Sequence, residues 1–334
     1  MPRLSLPYPM QPRPANPRFV GLRALALLAT AATAGAQLPD GYYVAGAFGP
    51  QQGQVGLFAL HPRKPGAPIK ITNIQGDLGI TGPSCVLYRT SDEALIVGER
   101  TPTGSSVDVH AIFLDGLDVR YDASFSVGTG GPCCGEIPQM GLLADGRVVV
   151  AATDLSAGPL KNYQTRNDGW QGVGIVDTKS GLISPIAITN GAQIANVFNG
   201  LAVSPDQQSV YLGTFVTFSQ GDIWRVPIAG GTAVKVASVS GGLSNLAFDE
   251  TGKLWVATLS PLSALFRVDV TSGNVTQVAQ QNGALNGLSF EPGTGNFAAV
   301  SSAGGNPSNA IFWMQKNGSH TALSSPGFAT MSGI

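Results

Sequence analysis

Apolar and polar residues alternate with a period of two over most of the chain, in short runs that turn residues separate. The clearest segments place two such runs around a tight turn with Gly or Asp: QMGLLADGRVVVAATD from Gln139, FNGLAVSPDQQSVYLGTF from Phe198, LSNLAFDETGKLWVATL from Leu243 and LNGLSFEPGTGNFAAVSS from Leu285. Alternation of this kind puts apolar side chains on one face of a strand and predicts antiparallel hairpins. No long stretch shows the 3.6-residue period of an amphipathic helix with charged flanks.

Further strand-like runs follow these hairpins. A third run is seen in GDIWRVPI from Gly221 and ALFRVDV from Ala264. A fourth run follows a G-G or T-x-G turn, as in TAVKVASV from Thr232 and GNVTQVAQ from Gly273. Units of four antiparallel strands that repeat every ~40–60 residues predict the blades of a β-propeller.

The predicted first strands align on one aliphatic residue each: Val86, Leu142, Leu201, Leu246, Leu288 and Ile334. The residue two positions before each of these is expected to face the central channel of the ring, and the set is Ser84, Met140, Asn199, Ser244, Asn286 and Ser332. Six first strands predict six blades.

The C-terminal segment FATMSGI, from Phe328, reads as a first strand with no later strands behind it. The segments DGYYVAGAF, QVGLFALHP and APIKITNI near the other end predict a second, third and fourth strand. We therefore expect the C-terminal strand to join the N-terminal blade and close the ring, which removes unpaired sheet edges. The alternative is a chain that ends before a seventh blade.

The expected fold class is thus all-β: a six-bladed propeller of four-stranded antiparallel blades, formed by residues 37–334 as a single domain. Composition agrees, because 44 of the 334 residues are Gly, 23 are Pro and only 12% are charged. A chain of this kind has many turns and little helix surface.

The first residues predict export. Arg13, Arg18 and Arg23 precede the apolar run 24–34, which ends in the small residues 34–36. This pattern is typical of a signal peptide at residues 1–36, cleaved before Gln37, with residues 1–9 as an upstream extension. The alternative is a membrane anchor, but the run is about half of the roughly 20 residues that span a bilayer. We expect a secreted protein, extracellular or periplasmic.

Charge excludes some partners. Removing residues 1–36 leaves 15 basic and 20 acidic residues, a net charge of −5. A mildly acidic surface without a basic stripe argues against nucleic acid as a partner and against anionic membranes. We expect a monomer without membrane insertion.

The stretches FNGLAVSPDQQSVYLGT and LSNLAFDETGKLWVAT resemble the six-bladed propellers of the SMP-30, gluconolactonase and strictosidine-synthase-like superfamily. In its metal-dependent members, Asn and acidic side chains of the first strands hold a calcium-type cation in the central channel. The resemblance implies Asn199 and Asn286 as metal ligands and hydrolysis of lactones or esters. Ser244 stands where the family tends to have Asp, and none of the six channel residues is acidic. The other interpretation is a neutral polar lining around water.

The rim of the third predicted blade is a second candidate site. The segment 128–139, with Glu136 and Gln139, enters its first strand. The long loop 153–172 carries Tyr163, Arg166 and Trp170. Aromatic and charged side chains on a loop of a rigid scaffold suit a sugar or a protein surface. The alternative is a variable surface loop without a ligand.

Cysteines and histidines suggest no catalytic set. Cys85, Cys133 and Cys134 leave three options open: a vicinal disulfide, a bridge from Cys85 to one of the other two, or three thiols. Their spacing matches no zinc motif. The three histidines, His61, His110 and His320, belong to no recognisable nucleophile arrangement.

Two functions follow from the sequence. The first is a non-catalytic exported propeller that binds a small molecule, a glycan or a partner protein at its loop-bearing face. The second is a metal-dependent hydrolase of lactones or esters that uses the central channel. The fold alone does not decide whether the protein is an enzyme.

Overall fold

The structure, a computed structural model, describes residues 43–48, 56–60, 69–71, 82–102, 106–115, 118–129, 134–154, 172–194, 197–259, 263–281, 285–291, 294–301, 311–324 and 330–332. Within these ranges the chain forms 25 β-strands and a short 3₁₀ helix, Gly191–Gln193. None of the described helical residues forms a helix long and apolar enough to cross a membrane. The predicted signal peptide lies outside these ranges.

The strands follow one another along the chain with short connections. The first seven are β1 (Tyr43–Phe48), β2 (Gly56–Leu60), β3 (Ile69–Ile71), β4 (Pro83–Arg89), β5 (Ala94–Pro102), β6 (Ser106–Asp115) and β7 (Asp118–Thr129). The next five are β8 (Cys134–Glu136), β9 (Met140–Leu142), β10 (Val148–Asp154), β11 (Gly172–Asp177) and β12 (Leu182–Pro185). Then come β13 (Val197–Val203), β14 (Ser209–Thr217), β15 (Gln220–Pro227), β16 (Val234–Ser240), β17 (Leu243–Phe248), β18 (Leu254–Thr258), β19 (Ser263–Val268) and β20 (Val275–Gln281). The last five are β21 (Leu285–Glu291), β22 (Asn296–Ser301), β23 (Ile311–Met314), β24 (His320–Ser324) and β25 (Thr330–Ser332).

The fold is an all-β propeller of four-stranded antiparallel blades. Three blades take consecutive strands, in the orders β13-β14-β15-β16, β17-β18-β19-β20 and β21-β22-β23-β24. The N-terminal blade has the order β25-β1-β2-β3, in which Ser332 lies opposite Gly46 and Thr330 lies opposite Phe48. The C-terminal strand therefore pairs with the first strand of the described chain, as the alternation pattern predicted.

The described strands form five sheets where six separate blades were predicted, because one of these sheets has nine strands. The cause is β8, which falls in a segment that the sequence predicted to be a loop. It pairs with β5 through Thr101 and Gly135, and with β10 through Thr153 and Glu136. These bonds connect the strands β4–β7 and β9–β12, and we call the product the joined sheet.

The inner strands surround a common centre. β25, β4, β9, β13, β17 and β21 contact one another in this cyclic order, and β21 also contacts β25. In the part of the chain that the structure describes, each of them pairs with a single strand, so its other edge has no strand partner there. The backbone groups of these free edges need other partners, and side chains near the centre supply some of them.

Alternating apolar residues fill the clefts between neighbouring blades. One cluster joins the blade β13–β16 to the blade β17–β20 and includes Ala202, Tyr211, Ile223, Leu243, Val256 and Phe266. Gly213 shows how closely these two blades pack, since a Cβ at this residue would lie 2.1 Å from Cδ2 of Leu243. The core is therefore a set of layers between sheets, which fixes the first strands around the centre.

Candidate functional site

Four of the six predicted channel residues lie at β-bulges. The pairing register shifts around one extra residue in β4, β13, β17 and β21, and these residues are Ser84, Asn199, Ser244 and Asn286. A bulge leaves one residue without a ladder partner and re-aims its side chain. The hairpin repeat of the sequence therefore corresponds to a repeated bulge on strands that meet at the centre.

Two predicted channel residues have their side chains in the interior. The Ser84 hydroxyl donates to the carbonyl oxygen of Ile137 at 2.7 Å and also lies 3.0 Å from that of Gly98. Met140 is 2% exposed and packs in the apolar cluster that contains Cys85 and Ile137. Ser84 bonds β4 to the segment before β9, Met140 packs in the adjacent apolar cluster, and both side chains are buried.

Asn199 and Ser244 contribute neutral polar atoms. The Asn199 amide nitrogen donates to the carbonyl oxygen of Leu243 in the neighbouring blade, at 3.0 Å. The Ser244 side chain is buried, and its Oγ has no hydrogen-bond partner in the part of the chain that the structure describes. Asn286 and Ser332 lie in β21 and β25, but their side chains are outside the described part.

Gln139 reaches across the centre. Its Oε1 accepts the backbone N–H of Leu201 at 2.7 Å and that of Leu246 at 3.1 Å. Its Nε2 donates to the carbonyl oxygen of Leu246 at 2.7 Å and to Oδ1 of Asn245 at 3.0 Å. The same Oδ1 accepts the N–H of Leu288 at 3.2 Å. Because Gln139 precedes β9 and Leu246 lies in β17, this side chain bridges inner strands that are not neighbours.

This amide network determines which polar atoms at the centre remain available to a ligand. Gln139, a predicted ligand-binding residue, has both amide atoms engaged by three inner-strand residues. Asn245 is 3% exposed, and its side-chain oxygen Oδ1 accepts two hydrogen bonds. A calcium-type ion takes several oxygen ligands that normally include carboxylates. The described centre is neutral, and two of its amides already satisfy free-edge backbone groups.

Most of the predicted rim site is outside the described residues. Tyr163, Arg166 and Trp170 fall in 155–171, and Cys133 falls in 130–133. Glu136 ends β8, but its side chain is not among those described. Cys85 is buried, and its Sγ lies 3.1 Å from the carbonyl oxygen of Ile137. The rim site and the disulfide stay predictions.

A pocket of about 150 Å³ opens between the blades β13–β16 and β17–β20. The turn between β14 and β15 gives it Phe218, a side chain that is 70% exposed. The Phe218 ring stands edge-on to Phe215, with 5.2 Å between ring centroids. The rest of the lining is Ser219, Ser240, Gly241, Ala264, Gln277 and Gln280. The loop-bearing face is the face with the loops that enter the first strands and the loops that join second to third strands. Gly241 leads into a first strand and Phe218 lies between a second and a third strand, so the pocket lies on this face.

Three metal-ligating side chains converge on β5 and β6. A carboxylate oxygen of Glu99, one of Asp108 and a ring nitrogen of His110 all lie within 4.8 Å of one another. Val97 is opposite His110 and Gly98 is opposite Val109 in the strand pairing. Glu99 and Asp108 therefore occupy the next cross-strand position, on the same sheet face as His110.

Neither the Phe218 pocket nor the Glu99 cluster was predicted from the sequence. Phe218 in the turn TFSQG was the available signal for the pocket, because an aromatic residue in a tight turn is exposed. The i, i+2 spacing of Asp108 and His110 placed both on one strand face, but only the pairing with β5 brings Glu99 to them.

No protein-family model and no curated protein matches the chain. Among solved structures, a chain of the nidogen–laminin complex has a TM-score of 0.63 and 9% identity, over 88% of this chain and 97% of that chain. TolB from Acinetobacter baumannii has a TM-score of 0.57 and 11% identity, over 87% of this chain and 64% of TolB. A luciferin-regenerating enzyme has a TM-score of 0.52 and 14% identity, over 73% and 76%. At identities this low, the chain is shown to share the β-propeller fold with these proteins, and the fold alone.

Proposed function

We propose that this protein is an exported, non-catalytic propeller that binds a small neutral ligand at its loop-bearing face. The observation that carries the proposal is the pocket at Phe218, which places an exposed aromatic ring beside polar side chains. Binding sites of rigid scaffolds often form where loops meet. Two loops contribute to this pocket, one with Phe218 and Ser219 and the other with Gly241, and strands supply the remaining lining residues.

The lining of the pocket favours a sugar among the neutral ligands. None of the described residues that line it carries a charge. Gln277 and Gln280 each offer an amide donor and acceptor, and Ser219 and Ser240 offer hydroxyl groups. The Phe218 ring can stack on the apolar face of a sugar ring. A volume of about 150 Å³ suits one sugar residue better than a drug-sized molecule.

Replacing Phe218 with alanine is expected to weaken glycan binding about five- to thirtyfold, because loss of a stacked aromatic ring removes ~1–2 kcal/mol. Neutral mono- and oligosaccharides, screened on a glycan array and followed by calorimetry, provide the measurement. Since Phe218 is 70% exposed, its loss should leave the melting temperature within a few degrees of the wild-type value.

Leu182→Ala is the matched control, because Leu182 is 63% exposed and does not line the pocket. It should bind the selected sugar as the wild-type protein does. Equal affinity in wild type and Phe218→Ala, or no sugar bound by the folded wild type, would contradict the proposal.

A second candidate is metal-dependent hydrolysis of lactones or esters at the centre. It is supported by Asn199, which lies at a bulge of an inner strand and uses its amide nitrogen on Leu243, so that its Oδ1 stays available as a ligand. Asn199→Ala is then expected to abolish both calcium retention and turnover of simple lactones. Turnover that persists in this variant, or in the presence of a chelator, excludes the second candidate.

We also infer that the ring has six blades. The joined sheet contributes two inner strands, β4 and β9, to the circle of six inner strands that contact one another. Each of the two starts its own run of four strands, and among the described strands β8 is the one that pairs with both runs. A crystal structure of the ring should show six blades, and a count of five would contradict this inference.

A further inference from the structure

The cluster of Glu99, Asp108 and His110 shares no side chain with the central amide network or with the lining of the Phe218 pocket. Its strands β5 and β6 belong to the joined sheet. Leu95, Val97 and Ile112, on the same sheet face, pack against residues of the N-terminal blade such as Val44 and Leu57. The cluster therefore ends the apolar layer between these two sheets, near the connection between β5 and β6.

Two of its ligand atoms face each other. Nε2 of His110 lies 3.4 Å from Oε2 of Glu99, which makes a long hydrogen bond between the two side chains. Charge-assisted hydrogen bonds are commonly shorter, about 2.7–2.9 Å. Two ligands that each lie about 2.1 Å from a tetrahedral ion are about 3.4 Å apart. The three ligand atoms, all within 4.8 Å of one another, fit around one ion.

Burial gives the ion an electrostatic reason to bind. Glu99 is 4% exposed and His110 is 3% exposed, while Asp108 is half-buried. The Oδ1 atom of Asp108 is buried and has no hydrogen-bond partner in the part of the chain that the structure describes. A buried carboxylate oxygen without a partner is costly, and a cation beside Asp108 would compensate it.

We propose that Glu99, Asp108 and His110 bind a divalent transition-metal ion. The imidazole decides the class of ion, because calcium and magnesium prefer sets made of oxygen alone. One imidazole with two carboxylates suits zinc or manganese. The ion ties β5 to β6 at the edge of the layer that joins two sheets, so its role is to stabilise this part of the ring.

Elemental analysis of the full chain tests the proposal. The protein is incubated with zinc or manganese, passed into metal-free buffer and analysed together with its melting temperature. We expect about one ion per chain, and a melting temperature that rises with the metal and falls with a chelator. Asp108→Asn and Glu99→Gln should weaken binding at least about tenfold and remove the thermal shift.

Asp145→Asn is the matched control, because the Asp145 side chain is 52% exposed and lies outside the cluster. It should bind the ion as the wild type does. Glu99→Gln replaces a buried group and can impair folding, so the half-buried Asp108 provides the deciding variant. The proposal is overturned if the folded wild type retains neither metal, if only calcium binds, or if Asp108→Asn binds as tightly as wild type. Sugar binding at Phe218 is measured separately, and neither result depends on the other.

Discussion

Replacing Arg89 with methionine is expected to lower the free energy of unfolding by about 3 kcal/mol. The Arg89 side chain is 2% exposed, and its guanidinium holds both carboxylate oxygens of Asp92, at 2.6 and 2.8 Å. Its Nη1 also donates to the carbonyl oxygen of Gly146 at 2.9 Å and to the hydroxyl of Thr178 at 2.7 Å. Methionine keeps the apolar stem and leaves these acceptors without their donor.

We expect the loss in free energy of unfolding for Arg89→Met to lie at the low end of the range for a broken buried ion pair. The reason is that the Asp92 side chain is 23% exposed, so water can reach its carboxylate. Urea denaturation of wild type and variant measures it. Arg147→Met is the matched control: Arg147 pairs with Asp145, but its side chain is 44% exposed, so its loss should cost about 0–1 kcal/mol. If the free energy of unfolding falls by similar amounts in the two variants, Arg89 does not link the hairpins of the joined sheet.

Replacing Asp249 with asparagine is expected to cost about 2 kcal/mol at pH 7. The Asp249 carboxylate accepts the N–H groups of Thr251 and Lys253, the Thr251 hydroxyl and the indole N–H of Trp255. Burial by itself raises the pKa of the Asp249 carboxyl, but these hydrogen bonds outweigh burial and lower the pKa from 3.8 to about 2. Lys316, from the next blade, lies 3.3 Å from the same carboxylate.

The sign of this shift fixes the pH dependence. Because the folded state has the lower pKa, the carboxylate stabilises it fully above pH 3.8 and loses this effect as the pH falls towards about 2. The difference in unfolding free energy between wild type and Asp249→Asn should therefore narrow over this interval. Denaturation curves from pH 6 down to about pH 2 measure the difference.

Glu250→Gln is the matched control for Asp249. Glu250 also contacts Lys316, at 2.6 Å, but its side chain is 49% exposed, so we expect a loss of about 0–1 kcal/mol. A difference between wild type and Asp249→Asn that stays constant with pH would contradict the proposed role of the carboxylate.

Much of the candidate site depends on contacts that no local pattern contains. The sequence placed Asn199 at an inner strand, and the structure has it at a bulge there. It also selected Gln139 for a ligand, whereas this side chain bonds to Leu201 and Leu246, far along the chain. The residues around a glutamine do not show whether its side-chain amide will bind a ligand or bond to a distant strand.

The predicted signal peptide, the loop with Trp170 and Cys133 lie outside the described residues. The Phe218 pocket and the cluster at Glu99 were not predicted at all. Each is assembled from different strands, β14 to β20 in the first case and β5 and β6 in the second. Their residues become neighbours only when the sheet register is set.

The sequence by itself determined the all-β class, the hairpin repeat and the pairing of the C-terminal strand with the N-terminal blade, because a period of two and the turn residues act over a few positions. Tertiary structure alone decided that β8 fuses two sets of strands, that Arg89 is buried between hairpins, and that Gln139 spans the centre. These outcomes depend on which distant surfaces pack together, and the partners of a buried polar group are chosen only after the blades have closed around it.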